Sequence, residues 1–297
     1  ILRLRQQYFL VSSGLQSTLY SYYKHNGTLV GIHKQYVFQL NDTHPILAIP
    51  ELMRLMMDEH GYGWDDAWKQ VTTLFAYTNH TIMAEALEKW PIHFIQQVCP
   101  RCYMIIEEIN RRFNLFMQEK KVDPNKRYAM QIVKDGQVHM TNLAIVSSFS
   151  INGVAKLHTE ILKKETFKEF NELFPEKFNN KTNGVTHRRW LVYANPKLAK
   201  LITKNIGSSW ITDMEHKVID FKPYADDKAV QDKFLAIKLE NKLKLKKYVL
   251  EHNGIEIDEN SSIQTKYFRI GFFNTVHSIP DSLGVLINTP NGRVVET

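Results

Sequence analysis

Three short segments combine histidine, hydroxyl and amide side chains with turn-forming residues, and each follows a run of apolar residues. They read QLNDTHP at 39–45, AYTNHT at 76–81 and NKTNGVTHRRW at 180–190. Catalytic and binding side chains are commonly displayed where a rigid element ends and a loop begins. The pattern therefore predicts a site built from strand ends, with these candidate residues: Asp42, His44, His80, Asn183 and Trp190.

Each local pattern also has a purely structural interpretation. Asp42 is suited to capping the turn before Pro45, and a lone histidine such as His80 often has a structural role. Trp190 is suited to ordinary packing of a helix against a core. The residues alone leave both interpretations open at each position.

The elements that would position these segments alternate along the chain. Alternating strands and helices predict an α/β fold with a largely parallel sheet, whose binding residues lie at the carboxyl ends of the strands. Turns are expected at Asp135–Gly136 and Asn183–Gly184. Strands are expected over 36–40, 75–78 and, loosely, 265–276, and helices over 4–23, 50–60, 65–74, 82–89, 92–118, 188–193, 196–206 and 226–251.

Composition limits the classes of protein that this chain can represent. Its 297 residues, 43% hydrophobic and 23% charged, are enough for one large domain or two parts. A net charge of +7 suggests affinity for anions, but no basic patch is interleaved with stacking aromatics, so we expect no nucleic-acid partner.

No apolar run is long enough for a membrane span. The first residues include neither an initiator methionine nor a signal-peptide core, so we expect the interior of a longer protein.

Both cysteines lie in one motif, Cys99-Pro100-Arg101-Cys102. This spacing is typical of a redox-active pair at a helix start, where the helix dipole lowers a thiol pKa. The alternative is that Pro100 simply opens a long helix, since no thioredoxin-like βαβ surroundings are evident.

Taken together, the three segments resemble the α-1,4-glucan phosphorylases, the enzymes that act on glycogen, starch or maltodextrin. The resemblance runs from Leu2 to about Asn260, through IPELMR at 49–54, EALEKWP at 85–91, NGVA at 152–155 and ENKLK at 240–244. It implies part of a two-lobed GT-B type glycosyltransferase fold. Residues 1–182 would be the later part of the first, glucan-side lobe, 183–260 the interdomain junction and opening helices of the second lobe, and 261–297 a divergent tail of an incomplete second lobe.

The resemblance also implies an activity. Members release glucose 1-phosphate from the non-reducing end of an α-1,4-glucan with inorganic phosphate, and the phosphate of pyridoxal phosphate takes part in proton transfer. By motif, Asp42 and His44 would lie at the catalytic cleft. His80 would offer its backbone carbonyl to the reacting glucose and its ring to the 6-hydroxyl. Asn183 would hydrogen-bond that hydroxyl, and Trp190 would lie close to the cofactor.

The sequence also departs from the family pattern. Members commonly have proline where this chain has Ala84 and His187, and histidine where it has Cys102. Of the expected KRIHEYKRQ segment only Arg269-Ile270 is matched, and the GTGNMK pattern with the cofactor-bound lysine has no counterpart. We therefore expect a central fragment, inactive alone, of a cytoplasmic and homodimeric parent.

Two other functions fit some of the residues. A non-catalytic relative could bind glucan or a phosphorylase subunit through the retained lobe. A glycoside hydrolase would need two carboxylates on either side of one bond, and acids adjacent in sequence do not meet that need. Such adjacent acids occur at Asp65-Asp66, Glu107-Glu108 and Asp226-Asp227.

Overall fold

The computed structural model describes residues 1–256, 262–264, 269–275, 282–289 and 292–296, in two compact units that meet between Gly184 and Val185 in the sequence. The α-helices are α1 Leu2–Asn26, α2 Ala48–Arg54, α3 Trp64–Leu74, α4 Ile92–Val98, α5 Pro100–Glu119, α6 Pro124–Met130, α7 Met140–Ser147, α8 Lys156–Ile161, α9 Lys168–Leu173, α10 Pro196–Ile206, α11 Met214–Lys217 and α12 Lys228–Asn253. The strands are β1 Phe38–Asn41, β2 Phe75–Thr78, β3 Lys89–Pro91, β4 Val133–Lys134, β5 Gln137–His139, β6 Ser150–Gly153, β7 Phe178–Asn180, β8 Ser262–Gln264, β9 Arg269–Thr275, β10 Ser282–Thr289 and β11 Gly292–Glu296.

A parallel sheet organises the first unit, as the alternation of strands and helices predicts. Its four strands lie in the order β1, β2, β6, β7, and each neighbouring pair is parallel. The middle strands β2 and β6 are largely buried, with Phe75, Tyr77 and Ile151 inaccessible to solvent. Because all four strands run the same way, their carboxyl ends meet along one edge. The α/β class is confirmed.

Helices α1 and α5 both pack against α2 in the core of this unit. The buried residues of α1 include Leu4, Val11, Leu15 and Leu19, whose spacing keeps them on one face of the helix. Residues 48–53 of α2 are all buried. The predicted amphipathic helix from Pro50 therefore begins two residues earlier, at Ala48, and is enclosed by its neighbours rather than half exposed.

The predicted helix over 82–89 is wrong. This segment holds a short 3-10 turn, Ala84–Ala86, and then enters β3, which pairs antiparallel with β5. Ile82 and Met83 are exposed, so a helix here would bury too little apolar surface to offset its ordering entropy. The Thr81 hydroxyl instead accepts a hydrogen bond from the Met83 amide at 3.1 Å and holds the chain in a turn.

The predicted helix over 92–118 is divided in two. Cys99, at φ −149° and ψ 88°, separates α4 from α5, because a residue before proline is disfavoured in the helical region. The hairpin turn is confirmed: Asp135 and Gly136 have φ of 52° and 70°, and they join β4 to β5. Positive φ at both central positions is the geometry of a tight two-residue hairpin turn.

The second unit starts with a wide helical turn, Arg188–Tyr193, and continues through α10, α11 and α12. The predicted helix over 196–206 matches α10, and the one over 226–251 matches α12, which Asp227 caps. Strands β8 to β11 form an antiparallel sheet in sequence order. The strand expected loosely over 265–276 overlaps β9, and residues 265–268 and 276 lie outside the described residues. Within the described part of the chain, no helix combines the length and apolarity needed to cross a bilayer.

Candidate active site

Polar side chains of the parallel sheet form a hydrogen-bonded row at its carboxyl edge. Asn41 pairs in register with Thr78, and Thr78 with Asn152, so the last residues of β1 and β2 lie beside the last but one of β6. Gln39 Nε2 donates to Thr78 Oγ1 at 2.8 Å, and Thr78 Oγ1 donates to Asn152 Oδ1 at 2.8 Å. Side-chain hydrogen bonds therefore link the three strands β1, β2 and β6, in addition to the backbone hydrogen bonds of the sheet.

His80 lies at the centre of this edge. Its Nε2 donates to the Asn41 side-chain oxygen, which joins the loop after β2 to the end of β1. Both side chains are exposed. The 41–44 and 79–81 segments therefore follow the neighbouring strands β1 and β2, as expected, and the exposed His80 ring lies at this edge of the sheet.

Asn79 and His158 support the His80 loop from within. The fully buried Asn79 amide donates to Tyr77 Oη at 3.1 Å and accepts from the Thr81 amide at 3.0 Å. His158 Nδ1 accepts from the Val154 amide at 3.1 Å, which leaves the proton on Nε2, 3.2 Å from Asn79 Oδ1. Burial lowers the pKa of His158, so this neutral tautomer is the form present at neutral pH.

Gly153 permits the close approach on which that support depends. A Cβ at this position would lie 2.5 Å from Thr159 Oγ1 and 3.1 Å from both Thr159 Cα and His158 Nδ1. Only a residue without a side chain lets the end of β6 pack this closely against the first turn of α8. The glycine of the NGVA segment, at the end of β6, is the local reason that His158 reaches Asn79.

Asn183 is bound to the same edge by its backbone. Its amide donates to the Val154 carbonyl at 2.9 Å, just beyond β6, and its side chain is exposed. Asn183 and Gly184 lie in an irregular stretch, 181–186, rather than in the predicted turn. A path of hydrogen bonds thus runs from Asn183 through Val154, His158 and Asn79 to the His80 loop.

Asp42 and His44 have different surroundings. Asp42 adopts φ 65°, and its carboxylate accepts from the Thr43 amide at 2.6 Å, while its own amide binds the Thr78 carbonyl at 2.9 Å. This is the capping role that the local sequence permits. The His44 ring lies 3.1 Å from Arg3 Nη2 and 3.7 Å from Glu88 Oε2, outside the amide row.

Trp190 belongs to the second unit and is 71% exposed. Ordinary packing of this ring against a core is therefore not observed among the described residues. The indole instead lines a surface cavity of 610 Å³ with Arg188, Arg189, Tyr193 and Ala194. An exposed aromatic face beside two guanidinium groups is suited to a flat anionic ligand.

The adjacent acidic residues do not meet at this edge. Asp65 and Glu108 both bind Arg112, on the side of α5, and Glu108 also binds Arg111. Asp227 caps α12 in the second unit. These carboxylates have structural partners, and the edge offers amides and imidazoles in place of the two opposed carboxylates that glycoside hydrolysis requires.

Sequence reasoning missed the supporting residues Asn152 and His158. The available signal is Gly153 at the end of a strand, which indicates a close backbone approach and directs attention to the residues at the start of the next helix. The edge can orient a hydroxylated substrate through fixed hydrogen-bond donors and acceptors.

The family model for carbohydrate phosphorylases matches residues 1–273. A glycogen phosphorylase of Bacillus subtilis is 46% identical over 271 residues, which cover 91% of this chain and 34% of that protein. A maltodextrin phosphorylase of Streptococcus pneumoniae is 43% identical, with 91% and 35% covered, and an α-glucan phosphorylase H isozyme of Solanum tuberosum is 42% identical, with 91% and 33% covered. The chain spans about a third of the length of the curated relatives it matches. On this similarity and on the α/β fold around its parallel sheet, the chain belongs to the carbohydrate phosphorylase family.

Proposed function

We propose that this chain is the central part of an α-1,4-glucan phosphorylase, which releases glucose 1-phosphate from the non-reducing end of a glucan with inorganic phosphate. The observation that carries the proposal is the carboxyl edge of the parallel sheet, where His80 and Asn41 are joined and Asn183 is held nearby. Relatives at 42–46% identity that are named for glycogen, maltodextrin and α-glucan support the substrate class.

The roles of the edge residues follow from their chemistry. The exposed His80 ring and Asn183 amide can hydrogen-bond sugar hydroxyls, and the 6-hydroxyl of the reacting glucose is the one we assign to them. Asn79 and His158 position the His80 loop and do not touch substrate. Fixed donors of this kind favour a reaction by orientation, because they need no rearrangement when the sugar binds.

Asp42 and His44 would stabilise the loop that borders the same cleft. The strained φ of Asp42 and its bond to the Thr43 amide fix the loop after β1. Arg3 and Glu88 hold the ring of His44. Their contribution is to keep this wall of the cleft in one conformation.

Pyridoxal phosphate is the cofactor that the family implies, and the Trp190 surface fits such a group. The exposed indole and the neighbouring Arg188 and Arg189 offer an aromatic face and two cations to a flat, phosphorylated ring. When bound, the cofactor supplies a phosphate group for proton transfer to the departing glycosidic oxygen. Within this chain, Trp190 would limit the movement of the bound ring and exclude water from one side of it.

The complete protein would have the two-lobed GT-B architecture and would act in the cytoplasm as a homodimer. The units 1–184 and 185–297 would then contribute to the first and second lobes. A relative of Arabidopsis thaliana, 41% identical, is named a cytosolic α-glucan phosphorylase, which supports this location.

A chimera tests the proposal. Residues 1–256 would replace the matching segment of the Bacillus subtilis glycogen phosphorylase, which supplies the rest of a complete enzyme. Formation of glucose 1-phosphate from glycogen and inorganic phosphate is the expected result. A folded chimera that retains the cofactor absorbance and glucan binding but makes no glucose 1-phosphate would favour the non-catalytic, glucan- or subunit-binding relative.

A further inference from the structure

The two cysteines lie together in the core of the first unit, away from the strand edge. Cys99 is the N-cap of α5, and its sulfur accepts from the Cys102 amide at 3.3 Å. The two sulfur atoms are 2.6 Å apart and both thiols are free. Cys99 retains 6% exposure, whereas Cys102 is completely buried. Both residues are therefore buried, Cys99 is the one that retains some contact with solvent, and the two sulfurs are within reach of each other.

Titratable groups from two other helices lie around this pair. Tyr8 comes from α1, and Glu51 and Arg54 come from α2. Glu51 Oε2 is 3.6 Å from Cys102 Sγ and 2.9 Å from Tyr8 Oη, and Arg54 holds the same carboxylate. Interaction with the Cys102 sulfur, and also with the Tyr8 hydroxyl, lowers the pKa of Cys99 to about 6. The same contact and burial raise the pKa of Cys102.

A metal site is a second possible use of these atoms, since Glu51, Cys99 and Cys102 offer three ligand atoms within 4.8 Å. The sulfur–sulfur distance and the hydrogen bonds of Glu51 disfavour a metal site. Thiolates on one tetrahedral zinc ion lie well over 3 Å apart, whereas these sulfurs are closer. The Glu51 oxygens already accept from Arg54, Ser12 and Tyr8, and the Arg54 cation would repel a metal ion.

We propose that Cys99 and Cys102 form a redox-active dithiol that a hydroperoxide oxidises to an intrachain disulfide. The Cys99 thiol first releases its proton to solvent. The thiolate then attacks one peroxide oxygen, the O–O bond breaks, and Cys99 becomes a sulfenic acid while the other oxygen takes up a proton from solvent and leaves as water or an alcohol. Cys102 sulfur then attacks Cys99 sulfur. The S–S bond forms, the S–O bond breaks, and hydroxide leaves as water with the Cys102 proton, which passes through Glu51. The two thiols lose two electrons to the peroxide, and a dithiol reductant restores them.

The test uses the full reduced chain, hydrogen peroxide and mass spectrometry. The expected product has lost two hydrogens and two free thiols and recovers both with dithiothreitol. Trypsin cleaves after Arg101, so the peptides 90–101 and 102–111 should remain joined in a non-reduced digest. Chain dimers as the main product, or two unreacted thiols after peroxide treatment, would overturn the proposal.

Single variants test the two different roles. In Cys102→Ser, dimedone should trap a sulfenic acid on Cys99. In Cys99→Ser, the buried Cys102 should react about tenfold more slowly. Alkylation of Cys99 should be half-maximal near pH 6 and shift to higher pH in Tyr8→Phe but not in Tyr20→Phe, a matched change at an exposed position of α1. Equal reactivity of the two cysteines, or equimolar zinc binding that protects both, would contradict the assignment.

Discussion

At the scale of single residues, Glu51 shows how a buried charge is accommodated. It is inaccessible to solvent, and it accepts from Ser12 at 2.7 Å, from Tyr8 at 2.9 Å and from Arg54 at 2.8 and 2.9 Å. Burial alone would raise the pKa of this carboxyl, but these hydrogen bonds outweigh burial and lower it. The fold therefore favours the ionised form of the Glu51 carboxyl.

We expect Glu51→Gln to lower the free energy of unfolding by about 3 to 5 kcal/mol at pH 7, because it removes the buried carboxylate that pairs with the Arg54 cation and leaves Arg54 its contact with the exposed Glu59. Chemical denaturation measures the change. Glu119→Gln, at an exposed position of α5, is the matched control and should stay within about 0.5 kcal/mol of the parent.

The stability that Glu51 contributes should also depend on pH. Its folded-state pKa lies below the unfolded value of 4.5, so the contribution is complete above pH 4.5 and is lost as the pH falls through the folded pKa. The difference between the parent and Glu51→Gln should therefore narrow in acid. A difference that widened below pH 4.5 would contradict the direction of the pKa shift.

His187 illustrates what family resemblance could not supply. Proline is common at this position in the family, but here the imidazole is buried, lies 6.1 Å from the Trp210 ring, and its Nε2 donates to the Ile211 carbonyl at 2.8 Å. The motifs identified the segments that gather at the strand edge. Contacts such as this one, between residues 24 positions apart, depend on tertiary packing and left no local signal.

At the scale of elements, predictions succeeded where local pattern and burial agree. β2 was predicted at 75–78 and α10 at 196–206, as observed, because an apolar, β-branched or amphipathic pattern matches the face that each element buries. The helix expected over 82–89 failed since helix-forming residues there have no core to cover. The helix expected over 92–118 is interrupted at Cys99, and α5 begins at Pro100, as the structural interpretation of the Cys99–Cys102 motif expects.

The junction of β6 with α8 allows a direct test at this scale. We expect Gly153→Ala to destabilise the first unit by about 1 to 3 kcal/mol, because its Cβ would meet Thr159 backbone and side-chain atoms. Gly14→Ala is the same chemical change in an exposed turn of α1, with no atom within 4 Å. It should stabilise the chain by about 0.5 to 1 kcal/mol. Thermal unfolding distinguishes the two, and a neutral Gly153→Ala would show that the junction is loosely packed.

At the scale of the whole molecule, the second unit exposes apolar residues along α12, including Leu235, Leu239 and Leu243 at four-residue spacing. Exposed stripes of this kind promote association. We expect the isolated chain to self-associate, and the double variant Leu239→Gln and Leu243→Gln to weaken association about tenfold, the scale of about 1.4 kcal/mol of lost burial. Sedimentation equilibrium measures it. Leu115→Gln, an exposed leucine of α5, should leave association unchanged.

Because the chain spans about a third of its relatives, we also expect residues 1–297 alone to form no glucose 1-phosphate from glycogen and phosphate, even with pyridoxal phosphate added. Acid catalysis needs the cofactor phosphate, the substrate phosphate and the glycosidic oxygen within hydrogen-bond reach of one another. The assay includes a complete phosphorylase as positive control. Turnover by the chain, abolished in Asn183→Ala, would show that one third of the enzyme suffices.

The kcat/KM of the chimera with Asn183→Ala tests most directly whether the strand edge is the catalytic site. Loss of a specific polar contact to the reacting sugar should lower kcat/KM for glucan phosphorolysis roughly 30- to 1,000-fold, equivalent to about 2 to 4 kcal/mol of transition-state stabilisation. Asn125→Ala, the same change at an exposed position of α6, should have no effect. An Asn183→Ala chimera as active as its parent would contradict the assignment of this edge.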